Sequence, residues 1–290
     1  HDVKAVEYFI KEKIKANKNI YKYKEHIHIC CTSEDINNVS YALMIKDARN
    51  ILSDQADLLQ KKLKAMGKKF KKVPMLSHTH GQPASPSTMG KEFINFQKRL
   101  LIQIDNLKKI KIKGKFNGAT GNYSAHSITY PNIDWPKSMK KYLSTLKLDL
   151  NNHTTQIEPH DYIAEICNSI NHINSILLGF SQDIWTYISK NYFTQMNIAG
   201  EIGSSTMPHK INPINFENAE GNLGMSNALS HFFANKLTVS RLQRDLSDST
   251  VLRNLGLTFA YSTIAYKNLL LGLSKLDINK NRINIDIDNS

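Results

Sequence analysis

The longest regular pattern in this sequence is an amphipathic stretch that follows the polar turn TSED at 32–35. Its apolar residues recur at spacings of three, four and their sums, as on one face of an α-helix. They are Ile36, Val39, Leu43, Ile51, Leu52, Leu58, Leu59 and Leu63. Thr32 or Ser33 is a suitable N-cap, and Gly67 marks the end. The predicted helix is much longer than the mean of about 11–12 residues, so it must pack against other long helices.

Four further stretches show the same periodicity. They run from Thr88 to about Ile112, from about Pro159 to Lys190, from Pro213 through Phe233, and from near Asp248 through Leu269. Strand signals between them are weak and scattered. Long helices joined by polar loops pack most economically side by side and antiparallel. We therefore predict an all-α fold, a bundle of long antiparallel helices.

The composition excludes several classes of protein. The 290 residues are 41% hydrophobic, enough for a buried core, but no apolar run approaches the roughly 18 residues of a membrane span. Cys30, Cys31 and Cys167 form neither an even disulfide framework nor a zinc motif. These observations predict a cytoplasmic protein with reduced thiols and no membrane partner.

The net charge of +13 raises another class, a basic helical protein that binds nucleic acid. The lysines concentrate in the segments 10–24, 60–72 and 108–115, where they alternate with apolar residues or crowd at helix ends. That arrangement is typical of lysines on the solvated face of a helix. We favour this interpretation and expect no nucleic-acid partner, although a basic surface also attracts a polyanionic small molecule.

A glycine-serine loop, AGEIGSSTMPHKINP, interrupts the helical pattern at 199–213. It places Ser204 and Ser205 after two glycines and before Lys210. A hydroxyl is a poor base unless its ionised form is stabilised, and backbone N–H groups beside glycine together with an ammonium group provide that stabilisation. Glycines also let a loop close over a substrate. One interpretation is therefore a catalytic base, and the alternative is a helix connection with incidental serines.

His80 lies in the Gly- and Pro-rich segment THGQPASP rather than on an apolar helix face. The ordinary pKa of a histidine suits a group that holds or gives a proton near neutral pH. His78 is close by, and two such histidines suggest a metal site, but no carboxylate or cysteine ligand is near. We therefore predict a proton-transfer role for His80 and no metal.

The segment SRLQRDLSDSTVLRN at 240–254 has the composition of an anion site. Ser249, Thr250 and Arg253 lie at the start of the fifth predicted helix, with Ser249 and Arg253 on one face. Hydroxyls, free N–H groups and a guanidinium at a helix N-terminus suit a phosphate. Arg244 lies nearby. Alternatively, the neighbouring aspartates 245 and 248 neutralise these arginines as ordinary caps and ion pairs.

The loop GSSTMPHKINP resembles the signature of the fumarase/aspartase superfamily, G-S-S-x-M-P-x-K-x-N-P. The segments HDVKAVEY, CTSEDINN, THGQPASPSTMGKE, TTQIEPHDYIAE and QRDLSDSTVLRNLG are similar to those of the bacterial-type adenylosuccinate lyase family, and they follow in order along almost the whole chain. The resemblance implies a carbon–nitrogen lyase without cofactor. Such an enzyme eliminates fumarate from adenylosuccinate to give AMP, and from the succinylated carboxamide ribotide SAICAR to give AICAR.

The same resemblance implies roles for the residues at matching positions. Ser204 matches the base that removes the proton from the succinyl carbon, and His80 matches the acid that protonates the departing nitrogen. His1 and Asp2 match a pair that orients the substrate, and Lys210 matches a loop contact that stabilises the intermediate. Further substrate contacts are implied for Thr32, Ser33, Gln156, Ser205, Asn212, Asn218, Arg244, Ser249 and Arg253.

The resemblance also implies an assembly, a homotetramer with a twenty-helix core in which three subunits build each active site. Residues 1–277 would form the central lyase domain, beginning inside the family's chain, and residues 278–290 a tail that leads to a C-terminal domain. The sequence departs from the family pattern at His78, where bacterial relatives usually have arginine. A histidine would hold an anion less well at neutral pH.

Other lyases of the superfamily remain as alternatives. An argininosuccinate lyase or a fumarase would share the glycine-serine loop. The Arg/Ser segment around Ser249 and the histidine in MPHK favour the nucleotide enzyme.

Overall fold

A computed structural model describes residues 2–196 and 211–289. Predictions for His1, Ser204, Ser205 and Lys210 therefore lie outside the described residues. The helices are α1 (Asp2–Lys13), α2 (Lys18–Tyr21), α3 (Ser33–Lys69), α4 (Met89–Lys109), α5 (Ser124–Thr129), α6 (Trp135–Thr145), α7 (Asp161–Ser189), α8 (Ile214–Leu237), α9 (Ser247–Leu252), α10 (Leu255–Lys275) and α11 (Lys280–Asp288). Short strands are β1 (Pro74–Thr79), β2 (Gln82–Thr88), β3 (Lys113–Gly114), β4 (Asp149–Leu150), β5 (Phe193–Gln195) and β6 (Leu276–Ile278).

The chain divides into two compact units. The first comprises the residues up to Ala48, Ile110–Glu165 and Phe233–Arg253, and the second comprises Arg49–Lys109, Ile166–Phe232 and the residues from Asn254 on. In the described part of the chain, none of the helices combines the length and the apolar character that crossing a bilayer requires.

The all-α prediction is confirmed, and four of the five long helices are those predicted. They are α3, α4, α7 and α8, which begin and end within a few residues of the expected positions. The fifth prediction was wrong in one respect, because the chain divides into α9 and α10 at a turn formed by Arg253 and Asn254. The N–H of Leu257 donates to the carbonyl of Asn254 (3.0 Å), which starts a new first turn.

The segment that carries the two histidines is a β-hairpin, which the sequence analysis did not predict. Strands β1 and β2 pair antiparallel, with Thr79 opposite Gln82. Between them, His80 has φ +53° and Gly81 has φ +75°. A two-residue type I′ turn requires positive φ at both positions. The prolines in β2 argued against a strand, because proline is tolerated in a sheet only at a free edge. This sheet has two strands, so β2 is an edge strand.

In the first unit, the short parallel pair of β3 and β4 determines where two loops meet. Lys113 pairs with Asp149, and Gly114 pairs with Leu150. Parallel strands run in the same direction, so the loops that follow them leave the same edge of the sheet. The pair thereby brings the segment after Gly114 next to the segment that carries Gln156.

Residues 278–290, predicted as a tail, contain α11 in the second unit. Asn279 caps this helix, since its side chain accepts the N–H of Arg282 (3.2 Å), and Ile283 is buried. A continuation into a C-terminal domain stays a prediction.

The second unit contains a buried polar network among its helices. Asn174 of α7 donates through Nδ2 to the hydroxyls of Ser226 (3.0 Å) and Ser262 (2.9 Å). The Tyr266 hydroxyl donates to Asn174 Oδ1 (2.8 Å). All four side chains are fully buried. Because buried polar groups are stable only when paired, the network selects one alignment of α7, α8 and α10.

The substitution Asn174→Ala should lower the free energy of unfolding by about 2–4 kcal/mol, because it leaves three buried hydroxyls short of a partner. Asn168→Ala, on the exposed face of the same helix, should change it by less than about 0.5 kcal/mol. Equal losses in urea titrations of the two variants would contradict the proposed importance of the network.

Candidate active site

A fully buried ion pair organises the polar loops of the first unit. Asp35, in the first turn of α3, accepts from Nζ of Lys115 at 3.0 Å, and neither side chain is exposed. The same ammonium group donates to the carbonyl oxygens of Gly118 (2.9 Å) and Gln156 (2.6 Å). The three N–H bonds of Lys115 thus have three acceptors, as a buried ammonium group requires.

The carboxylate oxygens of Asp35 likewise have hydrogen-bond donors. Its Oδ1 accepts the backbone N–H groups of Asn117 (3.2 Å) and Gly118 (3.3 Å), and its Oδ2 accepts that of Thr32 (2.9 Å). Burial lowers the pKa of Lys115, and the nearby Asp35 carboxylate opposes that shift. The pair therefore holds three segments together: the turn before α3, the loop after β3 and the loop around Gln156.

Thr32, Ser33 and Gln156, all predicted as substrate contacts, lie on these three segments. Each has a half-exposed side chain. The backbone carbonyl of Gln156 accepts a hydrogen bond from Lys115. This bond fixes the position of the backbone from which the Gln156 side chain extends. The structure thus brings together these three predicted residues.

Arg244 lies in the same unit, between α8 and α9. Its Nη2 is 3.6 Å from Oε2 of Glu34, beyond hydrogen-bond distance. The Arg244 side chain is 21% exposed and that of Glu34 is 5% exposed. In the part of the chain that the structure describes, Nε of Arg244 is buried and has no hydrogen-bond partner. A buried donor without a partner is costly, so this guanidinium is suited to receive an anion.

Two other carboxylates lie near Glu34. Burial raises the pKa of Glu34 to about 7, and the charges of Asp248 and Asp35 add to that effect. The positive charges of Arg244 and Lys115 oppose it. Lys115 is already paired with Asp35, so Arg244 is the remaining cation near Glu34 among these groups.

The predicted anion segment is only partly as expected. Ser249 and Thr250 lie on α9, which has six residues, and Arg253 follows its end. Asp248 is buried in the first turn of α9 and accepts the N–H of Ser249 (2.7 Å), and the N-cap residue of this helix makes no side-chain capping bond. An ion pair also neutralises Arg241, with Asp245 (3.0 Å). Arg253 is exposed, and the described residues form no ion pair with it.

A second buried carboxylate orders the loop that leads into α7. Glu158 accepts the N–H of His160 (2.6 Å) and Nδ2 of Asn151 (2.8 Å). The His160 ring nitrogen Nδ1 lies 3.2 Å from the carbonyl oxygen of Leu237. Burial lowers the pKa of His160, so the ring is neutral near pH 7. This histidine stabilises the loop that carries Gln156.

The hairpin of the second unit exposes His80 at its turn. His78, two residues earlier, packs edge-on against Tyr192 with ring centroids 5.8 Å apart. Burial, and then the charge of Lys190, lowers the pKa of His78. A neutral ring holds an anion weakly, as expected for a histidine at the position where bacterial relatives usually have arginine. Of the other predicted contacts, the second unit contains Asn212, which is half-buried, and Asn218, which is exposed on α8.

Asp2, the remaining described residue of the prediction, begins α1 and accepts the N–H of Val3 (3.0 Å). Its charge raises the pKa of Tyr41, though less than burial does. Among residues 2–196 and 211–289, no group of three or more His, Cys, Asp or Glu side chains is arranged to hold a metal ion.

Glu34, Asp35 and Lys115 were not among the predicted site residues. The prediction that Lys115 belongs to the solvated lysines of 108–115 was wrong, because this side chain is fully buried. A signal was present for Asp35, because an acid three residues after Thr32 is typical of a capping box. Nothing local to Lys115 distinguishes it from the exposed lysines before it.

Two family models match the chain. A model of the family described as "Lyase" matches residues 1–226, and one described as "Adenylosuccinate lyase C-terminal" matches residues 240–290.

The chain belongs to the lyase family.

Curated relatives support the resemblance to adenylosuccinate lyases. The chain is 55% identical over 288 residues to the adenylosuccinate lyase of Legionella pneumophila (strain Corby), covering 99% of this chain and 63% of the relative. It is 51% identical over 292 residues to that of Escherichia coli (strain K12), covering 100% of this chain and 64% of the relative. The chain thus spans less than two thirds of the length of these relatives.

Solved structures show the same fold at low identity. The crystal structure of 3-carboxy-cis,cis-muconate lactonizing enzyme from Pseudomonas putida matches with TM-score 0.81 at 19% identity, covering 99% of this chain and 62% of that one. The fumarate lyase from Mesorhizobium sp. BNC1 matches with TM-score 0.77 at 18% identity, covering 92% and 59%. At these identities the likeness establishes the fold alone.

The ion pair predicts a large difference between two lysines that are close in sequence. Lys115→Met should lower the free energy of unfolding by about 3–5 kcal/mol, because it leaves Asp35 charged and buried without its cation. Lys111→Met, which removes the exposed partner of Asp149 (3.5 Å, side chains 77% and 53% exposed), should cost less than about 1 kcal/mol. Thermal or urea unfolding of both variants tests this, and a mild effect of Lys115→Met would be inconsistent with the organising role of the pair.

Proposed function

We propose that this chain catalyses the elimination of fumarate from adenylosuccinate, giving AMP, and the parallel cleavage of SAICAR to AICAR. The identity to adenylosuccinate lyases supports this function. The structural observation that carries it is the half-buried Arg244, in the same unit as Ser249, Arg253 and Gln156. Its Nε is buried and has no hydrogen-bond partner among the described residues. A substrate with a phosphate group gives this guanidinium a complementary anion.

Proton transfer in this proposal belongs to Ser204 and His80. The Ser204 oxygen, in its ionised form, takes the proton from the succinyl carbon beside a carboxylate and becomes a hydroxyl. The resulting carbanion spreads its charge into that carboxylate, and Lys210 with the N–H groups of the loop stabilises it. The carbon–nitrogen bond then breaks and a carbon–carbon double bond forms. The electron pair leaves with the nitrogen, which His80 protonates.

The unit that carries His80 suits this role because the hairpin turn exposes the ring. A two-residue turn between paired strands holds a side chain more firmly than a flexible loop does. We infer that Thr32, Ser33, Asp2 and His1 hold the succinyl part of the substrate. Ser205, Asn212, Asn218 and Thr250 complete the contacts in this proposal.

We further propose that the active form is a homotetramer. The five helices of twenty residues or more in the described chain are α3, α4, α7, α8 and α10, so that four copies supply a twenty-helix core. Helices α8 and α10 are apolar on more than one face, since Met225, Leu257 and Ile264 are exposed while Leu223 and Tyr266 are fully buried. A helix that is apolar all round is typical of a buried position, and further copies of the chain would provide the cover. In this arrangement three copies contribute to each active site.

The cellular setting in this proposal is the cytoplasm. The cysteines of the chain, Cys30, Cys31 and Cys167, are all free. Free thiols suit a reducing compartment.

Ser204→Ala should lower kcat for adenylosuccinate by roughly 10²–10⁴-fold with little change in KM, because it removes the base and leaves the binding contacts. Ser144→Ala, an exposed serine that bonds within α6 (2.7 Å to the Lys140 carbonyl), serves as the control and should leave kcat unchanged. The assay follows the ultraviolet absorbance lost as adenylosuccinate is cleaved, with argininosuccinate as the competing substrate. Cleavage of argininosuccinate alone would overturn the substrate assignment.

Arg253→Ala should weaken AMP binding by roughly 10-fold or more, since a charge-assisted hydrogen bond contributes about 1.5–3 kcal/mol. Its effect on kcat should be smaller than its effect on KM. Arg241→Ala is the matched control, because Arg241 is 81% exposed and already paired with Asp245. Calorimetric titration with AMP measures both, and equal affinities for the two variants would place the phosphate elsewhere.

A further inference from the structure

Glu34 is a buried carboxylate in the first unit to which the proposed function assigns no role. It lies in the first turn of α3, next to the predicted contacts Thr32 and Ser33, and its side chain is 5% exposed. Among residues 2–196 and 211–289, its nearest cation is Arg244, at 3.6 Å. Unlike the adjacent Asp35, which accepts three backbone N–H groups and an ammonium group, Glu34 has a loose ion pair as its contact to a cation. A buried carboxylate held this weakly is close to losing its charge.

The groups that face Glu34 come from several elements. The segment before and within α9 contributes Arg244 and Asp248, the loop after β3 contributes Lys115, and α3 itself contributes Asp35.

Two tyrosines complete the set, Tyr41 of α3 and Tyr162 of α7, and the Glu34 charge raises the pKa of each, though less than burial does. His160, near Asp248 and Arg244, is neutral because burial lowers its pKa. Among the described residues, the charges that act on Glu34 are those of Asp35, Asp248, Arg244 and Lys115, and Lys115 already binds Asp35. The pKa of Tyr41 is also affected by the charges of Arg253 and Asp2.

An anion that binds Arg244 competes with Glu34 for the same guanidinium. It also places a second negative charge beside a buried carboxylate, where like charges repel strongly because the local dielectric constant is low. The repulsion disappears if the carboxylate takes up a proton. A neutral Glu34 also no longer attracts Arg244, whose guanidinium can then pair with the anion.

We propose that Glu34 couples anion binding at Arg244 to proton uptake: the anion enters with a proton that neutralises Glu34. This makes Glu34 a positioning residue that acts on the substrate through Arg244. The inference rests on the proposed function only in taking the natural anion to be the phosphate of the substrate.

The pKa of Glu34 determines how anion affinity should depend on pH. Because burial raises the pKa of Glu34 to about 7, the residue is mostly neutral below that pH and mostly charged above it. Anion affinity should therefore be highest on the acid side and fall as the pH rises through about 7, by up to about tenfold per pH unit. A phosphate monoester titrates near pH 6 and complicates this slope. Sulfate, which keeps its charge throughout, is the cleaner probe.

The test is the dissociation constant of sulfate for the 290-residue chain, measured by calorimetry from about pH 6 to about pH 8.5. The wild-type chain should lose about 10-fold or more of its affinity across this range. Glu34→Gln, which mimics the neutral form, should bind sulfate at the alkaline end as tightly as the wild type does at the acid end. A Glu34→Gln variant that keeps the wild-type slope would overturn the proposal.

Asp183→Asn is the matched control. Burial raises the pKa of Asp183 too, but its charged neighbours are Glu92 and Arg99. This variant should keep the wild-type slope, and a flattened slope would mean that the effect is not specific to Glu34. Arg244→Met should remove the pH-dependent part of sulfate binding, and binding that persists with its slope would also count against the proposal.

A measurement on the unmodified chain guards against a Glu34 variant that fails to fold. Sulfate binding near pH 7.5, in two buffers of different ionisation enthalpy, should show net proton uptake by the protein. Release of protons, or no exchange, overturns the inference. Adenylosuccinate cleavage is assayed on the same sample. A chain that shows proton uptake but no cleavage would refute the proposed function and leave the role of Glu34 intact.

Discussion

The buried ion pair between Asp35 and Lys115 is the constraint on which the polar half of the first unit depends. Removing two charges from water is costly, and the cost is offset only when each hydrogen-bonding position is filled. The pair meets that condition by drawing backbone groups of Thr32, Gly118 and Gln156 around itself. Three segments that are distant in sequence are therefore fixed together by the requirement to satisfy one cation and one anion, and side chains of the predicted site are carried on those segments.

The two acidic residues in the first turn of α3 show how different surroundings give two carboxylates different roles. Asp35 has an ammonium partner at 3.0 Å and with that partner holds three segments together. Glu34, one residue earlier, lies beside a guanidinium at 3.6 Å and near the buried Asp248. A carboxylate with few donors and an acidic neighbour is poised to exchange a proton. Structural rigidity and proton coupling thus arise side by side, and the difference is the number of donors that reach each carboxylate.

Part of the local structure around the candidate site was predictable because its signals are local. Ser249 and Arg253 are one helical turn apart, and the cap before α3 follows from Thr32 and its acid. Lys115 was not predictable in this way. It ends a run of lysines that share its composition, and its burial depends on Asp35 and on the carbonyls of residues far along the chain. The hairpin was missed for a similar reason, since the prolines of β2 argue against a strand until its free edge is known.

By itself, the sequence determined the helical class, the approximate ends of α3, α4, α7 and α8, and the family to which the loop motifs point. These follow from the sequence because a 3.6-residue period and a short motif are properties of neighbouring residues. Only the tertiary structure decided which charges are buried, that Nε of Arg244 is buried with no hydrogen-bond partner among the described residues, and how Asn174 aligns three helices. The physical reason is that the energy of a buried polar group depends on its partners, and those partners come together only when the chain folds.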